Sequence, residues 1–405
     1  MRSHQNLLRF ATAALALCWA SQSAAQSFED LEAKLAEHPS LAALTYQAEA
    51  SAQRSIAATA LPDPVISLGV NNFPVFDPSF TDFLPTNKAI GVRQDIPSPA
   101  RRRAKAGAEE AQAKRTALIR DAQFATLRGE LVASLHDKAR IEAQQRYARE
   151  RLALYGDLIE VLEGEVSAGR PAVFRLAEVD AERTRVDIAL LDLERQAASI
   201  AAQLIDLVGL DPDTPPPTQA PMVWDGDPMV FHAVRVANAD TQIAGFGVEE
   251  AEAGWKPNWG AQLTYQQREA GANFAGDDWM SAMVTVSVPL WAKTSQTPRL
   301  KAAKAQRSSA DMRYQAAARA ASARYASRDA AWRAADGTIA ALRRNIAAVE
   351  TKIKAQRRTY EAGAGDYAPL IDGQITVVSL RADLAGQVAQ KMADIARMNA
   401  LMVTP

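Results

Sequence analysis

The residues able to do acid–base, nucleophilic or metal chemistry are scattered along this chain rather than gathered. The adjacent acids Glu109-Glu110 and Glu249-Glu250 supply paired carboxylates, but neighbours on a helix do not share a face and cannot work on one atom. His38, His136 and His232 are isolated, no His-x-x-x-His or cysteine pair occurs, and the methionines do not cluster, so no metal-binding chemistry is expected. The single cysteine, Cys18, lies in an apolar N-terminal run. There is no phosphate-binding loop, no Gly-x-Ser-x-Gly turn and no zinc-protease motif. The expectation is a protein that is not an enzyme and has neither cofactor nor metal site. Any energy for work comes from a partner.

Charge narrows the partners. Lys and Arg number 46 against 47 Asp and Glu, so no polyanion is called for and nucleic acid is not an expected partner. The N-terminus carries Arg2 and Arg9, the apolar run from Phe10 to Ala20, then Ser23-Ala24-Ala25. That order of charged, apolar and small residues reads as a secretory signal over 1–25, cleaved after Ala25. A lipoprotein signal places its cysteine after a small residue, whereas Leu17 precedes Cys18. The mature chain is therefore expected to be exported, cysteine-free and suited to a Gram-negative envelope.

The elements that position everything else are long helices. Leu152, Tyr155, Ile159, Leu162 and Val166 recur at steps of three and four. After Ser167-Ala168-Gly169-Arg170-Pro171, the residues Val179, Val186, Leu190, Leu193, Ala197, Ile200, Leu204 and Leu207 resume the rhythm. Each helix so carries one apolar stripe, as in a coiled-coil seam. A shift of about 194 positions repeats the device: Gly169 falls on Gly363, Leu152 on Ile346, and Leu204 on Met398. Ser98-Pro99 and Thr297-Pro298 read as the N-caps of the two long hairpins. At about 1.5 Å per residue the descending arm alone is on the order of 100 Å long.

Between helices the period changes to two. Ile66, Leu68 and Val70 alternate with Ser67, Gly69 and Asn71, and Ile90, Val92 and Ile96 alternate with Gly91, Arg93 and Asp95. In the second copy Ala261, Leu263 and Tyr265, then Ala282, Val284, Val286 and Val288, do the same. Each pair of runs predicts a β-hairpin with one apolar face. The expected segments are a helix over 26–63, a hairpin over 64–97, a long helical hairpin over 98–208 and a Pro-rich strap over 209–228. The second copy follows as a helix over 229–257, a hairpin over 258–291 and a long helical hairpin over 292–405.

Four strands with one apolar face cannot stand alone in water, and in lipid the sheet edges must close. A closed membrane barrel needs at least about eight strands. If the strands enter a membrane, the barrel must be shared, and three chains give an even, antiparallel set of about twelve. Trp259, Trp279 and Trp291 near the strand ends suit the aromatic girdles of such a barrel. The alternative is a water-soluble periplasmic coiled-coil scaffold whose strands pack against protein. Alanine-rich helices with many charges, Arg101-Arg102-Arg103 and Arg343-Arg344 among them, suit a hollow helical cylinder better than a solid bundle.

Across essentially the whole mature chain, the signal, the tandem repeat, the strand pairs and the turns at Gly169 and Gly363 resemble the TolC-type outer-membrane efflux proteins. The resemblance implies a mainly α fold with two β-hairpins: a homotrimer whose tandem helical hairpins form a periplasmic α-barrel below a shared 12-stranded outer-membrane β-barrel. It implies an exit duct for small solutes or metal ions in a tripartite system. The implied partners are outer-membrane lipid, a periplasmic adaptor and an inner-membrane transporter of the RND type. A type I protein-secretion duct is the alternative within the same fold. The stretch Leu61-Pro62-Asp63-Pro64-Val65-Ile66-Ser67-Leu68 and the short chain look most like the heavy-metal and copper branch.

Carried over residue by residue, the resemblance places Gly169 and Gly363, with Ala168 and Ala362, at the tip that the adaptor grips. Asp372 matches an acid that often rings the closed entrance, with Asp366 nearer the turn and Glu178 its counterpart in the first copy. Pro369 stands where some relatives carry a further acid. Three identical carboxylates in a ring would favour cations. The strand residues expected to face lipid are Ile66, Leu68, Val70, Ile90, Val92, Ile96, Leu263, Tyr265, Val284, Val286 and Val288.

Overall fold

The computed structural model describes residues 26–403; the expected signal, with Cys18, lies outside the described residues. The elements in order are α1 (Phe28–Ala36), α2 (Pro39–Thr59), β1 (Val65–Asn71), β2 (Asn87–Ile96), α3 (Pro99–Ser167) and α4 (Val173–Val208). A short 3-10 turn (Pro228–Val230) leads into α5 (His232–Ala253), β3 (Asn258–Gln267), β4 (Trp279–Ser287), α6 (Gln296–Glu361) and α7 (Ala368–Asn399). Among the described residues no helix is long and apolar enough to cross a membrane.

The chain divides into two compact units, and α3 and α6 each begin in one and end in the other. The first unit holds residues 26–38, 127–221 and 328–397. Its core is built from the predicted stripes: Tyr155, Leu162, Val179 and Val186 are buried together with Leu158, Ile371 and Ile375. Burying one such Leu or Ile side chain contributes roughly 1.5–3 kcal/mol. The Pro-rich strap is fastened to α3 here. Lys138 Nζ donates to Asp211 Oδ1 (2.7 Å) and to the Pro212 carbonyl (2.8 Å), and His136 Nε2 lies 3.1 Å from the Pro217 carbonyl.

The second unit holds residues 39–126, 222–327 and 398–403. One four-stranded antiparallel sheet, ordered β1-β2-β3-β4, runs through it. Its two sequence-distant hairpins are joined by pairing of β2 with β3. Phe231, Val234, Ala321 and Met402 form a separate small core, with the Trp224 and Tyr325 rings tilted against that of Phe231.

Two local expectations change. Ser98 does cap α3, its Oγ accepting from the Arg101 amide at 3.3 Å. Thr297-Pro298, by contrast, lies inside α6, which starts at Gln296. The chain already winds from Trp291, whose carbonyl accepts from the Thr294 and Ser295 amides (3.1 and 3.0 Å). Pro298 costs no helical hydrogen bond because first-turn amides have no partner within the helix. The second hairpin also ends earlier than expected: α7 stops at Asn399, and Met402 pairs with Phe231 as an isolated bridge.

Candidate functional site: the strand face and the helical turns

Strand register turns the alternating residues into continuous rungs. Leu68 pairs with Ile90, Ile90 with Tyr265 and Tyr265 with Met280. The next rung is Ile66, Val92, Leu263 and Ala282. Ala261 with Val284, and Ile96 with Trp259 and Val286, continue the same face. Polar residues enter it at Gln94, which turns its amide to the Pro62 and Asp95 carbonyls (2.7 and 2.9 Å), and at the far end, where Lys88 and Gln267 share the rung of Val70. On the opposite face the rungs read Ser67, Gly91, Thr264, Ser281 and Asp95, Gly260, Thr285. Leu68 is 78% exposed and Val284 69%; Val70, Val286 and Val288 are also exposed, and Ile96 is half-buried. β1 and β4 form the two outer edges, and every residue of both is exposed.

The tryptophans divide between the faces. Trp259 shares the apolar rungs, whereas Trp279 pairs with Gln266 and so falls on the polar face. There it lies 4.5 Å from the Arg268 guanidinium, a cation–π contact that ties down the β3–β4 loop. Trp291 lies beyond β4 and is exposed.

In the first unit the two helical turns have the same backbone. Gly169 has φ 80° and Gly363 φ 72°. The Arg170 amide reaches back to the Glu165 carbonyl (2.9 Å), and the Ala364 amide to that of Thr359 (3.0 Å). These are matching six-residue helix closures that need a left-handed residue, hence glycine. A Cβ at either glycine would meet nothing within 4 Å, so the positive φ and not close packing within the chain calls for glycine here. Ala168 and Ala362 precede the glycines and are exposed.

The acids singled out by sequence are brought together, but not as free carboxylates. Arg175 donates to Asp372 Oδ1 (2.7 Å) through Nη2 and to Glu178 Oε2 (2.8 Å) through Nη1. The two repeat-related acids thus share one guanidinium. Asp366 is met by Arg170 at 3.3 Å, and Arg170 also lies 3.7 Å from Glu165. The Glu178 hydrogen bond, with the charge of Asp372, holds the Arg175 pKa above its ordinary value, so this arginine stays charged. Sequence reasoning passed over both arginines. Arg175 stands three residues before Glu178, a spacing that places them on one helix face, and this was the available signal. Among the described residues no group of three or more His, Cys, Asp or Glu could hold a metal ion.

Residues 232–402 match the family model described as outer membrane efflux protein. The chain as a whole has the fold of solved outer-membrane channels. The outer membrane protein VceC of Vibrio cholerae superimposes with TM-score 0.74 at 17% identity, over 92% of this chain and 95% of that one. CusC, described through its transmembrane channel formation, gives 0.76 at 15% identity, over 93% and 92%. The open state of the Neisseria gonorrhoeae MtrE outer membrane channel gives 0.66 at 16%, over 92% and 88%. No curated protein sequence matches the chain.

Proposed function

We propose that this protein is the outer-membrane exit duct of a tripartite efflux system, acting as a homotrimer with a 12-stranded barrel shared among its copies. The observation that carries the reading is the sheet: successive apolar rungs on one exposed face, and two edges that are unpaired among the described residues. Lipid covers such a face, and further strands close such edges. Support comes from the family match over 232–402 and from the shared fold. In this reading the residues around Gly169 and Gly363 meet a periplasmic adaptor, which links the duct to an inner-membrane transporter of the RND type. The duct passes the small solutes or metal ions which that transporter delivers. Asp372, Glu178 and Asp366 line its entrance, and each is paired with Arg175 or Arg170 in the state described here.

Cys18 is the only cysteine, so engineered cysteines report cleanly on position. In isolated outer membranes, Leu263→Cys resists a membrane-impermeant maleimide until the protein is denatured, while Thr264→Cys on the opposite face reacts through the water-filled interior. Equal labelling of both positions would contradict the lipid assignment.

A further inference from the structure

Two neighbouring cavities open where the strands meet the long helices. One, about 460 Å³, is lined by residues that include Arg101, Glu250, Lys256, Gln296 and Arg299. The other, about 570 Å³, shares Arg101, Asn258 and Ser287 with the first and adds Arg93, Asp95 and Thr285. By strand register Arg93, Asp95, Asn258, Thr285 and Ser287 lie on the face opposite Leu263 and Val284.

The charges in this place do not balance. Asp95 is taken up by Arg93 at 3.0 Å. Glu250 is the one carboxylate between two cations, 3.4 Å from Arg101 and 3.9 Å from Lys105. Lys256 and Arg299 have no side-chain partner among the described residues. Beyond Arg299, α6 adds Lys301, Lys304 and Arg307 before its first acid, Asp311. A further polar group is unspent: Gln296 Oε1 is buried without a hydrogen-bond partner. Turned over, that amide offers two N–H donors at the same point.

We propose that this cavity binds an oxyanion, a phosphate, sulfate or carboxylate group, with Lys256, Arg299 and Arg101 as its charged donors and Gln296 as a neutral one. An oxyanion supplies the missing negative charge and accepts hydrogen bonds from every group that lacks an acceptor. Resting on the reading that the apolar face meets lipid, the cavity is reached from the aqueous side, so the ligand is a dissolved anion or anion-bearing solute within the duct. Repetition in each copy sets a band of positive charge around the passage at the base of the sheet.

The test is equilibrium binding of inorganic phosphate to the full chain purified in detergent. The wild-type protein is expected to bind phosphate with an affinity that falls as salt rises. K256A combined with R299A loses it by about tenfold or more at unchanged native mass, and K256R with R299K retains it. A wild-type chain that ignores phosphate, yet carries phosphatidylglycerol in native mass spectrometry that the double alanine variant lacks, assigns the same site to a lipid headgroup. Equal phosphate affinity in wild type and double alanine variant, or a wild type that binds neither probe, overturns the proposal. Planar-bilayer conductance judges the duct separately: binding without conductance keeps the site and removes the duct, and conductance without binding that depends on Lys256 does the reverse.

Discussion

In the unit that carries the helical turns, Leu158 and Ile371 are 0% and 1% exposed beneath Tyr155, Leu162 and Val179, and the nearby acids are met by Arg170 and Arg175. In the unit that carries the sheet, Leu68 and Val284 are 78% and 69% exposed on one face, and Lys256 and Arg299 have no acid partner among the described residues. Both units are built from the same tandem repeat, yet the first gathers a row of its apolar residues into a buried seam, with Phe174, Ile188 and Leu191 left exposed on α4, while the second lines its apolar residues up on one open face. A chain leaves several large apolar side chains in a row uncovered when something outside it covers them. The difference marks the strand face as the surface that something outside the chain must cover.

That contrast can be broken from either side. Leu158→Ala leaves a cavity in the closed core and is expected to cost about 2–5 kcal/mol. It should lower the thermal midpoint of the purified protein while the protein still reaches the membrane. Leu263→Arg acts on the open face, where a cation in the middle of a bilayer costs about 2–4 kcal/mol. It should deplete assembled protein from outer-membrane fractions, while Thr264→Arg on the polar face leaves the yield close to wild type. A yield lost equally in both would erase the distinction between faces.

Smaller effects sharpen the picture of the closed unit. Gly169→Val or Gly363→Val forces a β-branched residue to positive φ, at a cost of roughly 1–2 kcal/mol. Because the site is open, the expected result is intact protein in the membrane with impaired efflux; unchanged efflux in both variants would remove the tip assignment. Burial pushes the His136 pKa below its ordinary value, and the Pro217 carbonyl opposes that only in part. The unfolded chain then binds more protons than the folded one as pH falls through about 6.5, so stability falls with it. Limited proteolysis of the strap should accelerate between pH 7.5 and 5.5 in wild type, and His136→Gln should flatten that dependence. Smallest of all, Arg175→Ala removes two partly exposed ion pairs worth about 0.2–1 kcal/mol each. It should barely move the thermal midpoint, yet it frees Asp372 and Glu178, and cation permeability across reconstituted bilayers should rise.

How far the sequence discloses this varies by the range of the interaction. The strand faces follow from period two, and register sets Leu68, Ile90 and Tyr265 in one rung. Gly169 and Gly363 are equally open to reading, because a left-handed closure is a local event. Trp279 is a different matter: nearness to a strand end suggested a girdle, but its parity with Gln266 sets it on the other face. Leu158, absent from the stripe first read, falls at three and four residues from Tyr155 and Leu162 and is a member of it. Arg175 and Asp372 are far apart in the chain, and their meeting depends on how α4 packs on α7, which no local pattern encodes. The surplus of Lys256 and Arg299 is likewise invisible in a nearly neutral total, because a count does not say which charges are neighbours.

The most direct test of the shared barrel is the native mass of the protein extracted with detergent from purified outer membranes. The account predicts a trimer that salt alone does not release. A monomer or dimer washed off by salt without detergent would mean that the apolar face never meets lipid, and a scaffold standing in water would take the place of the duct.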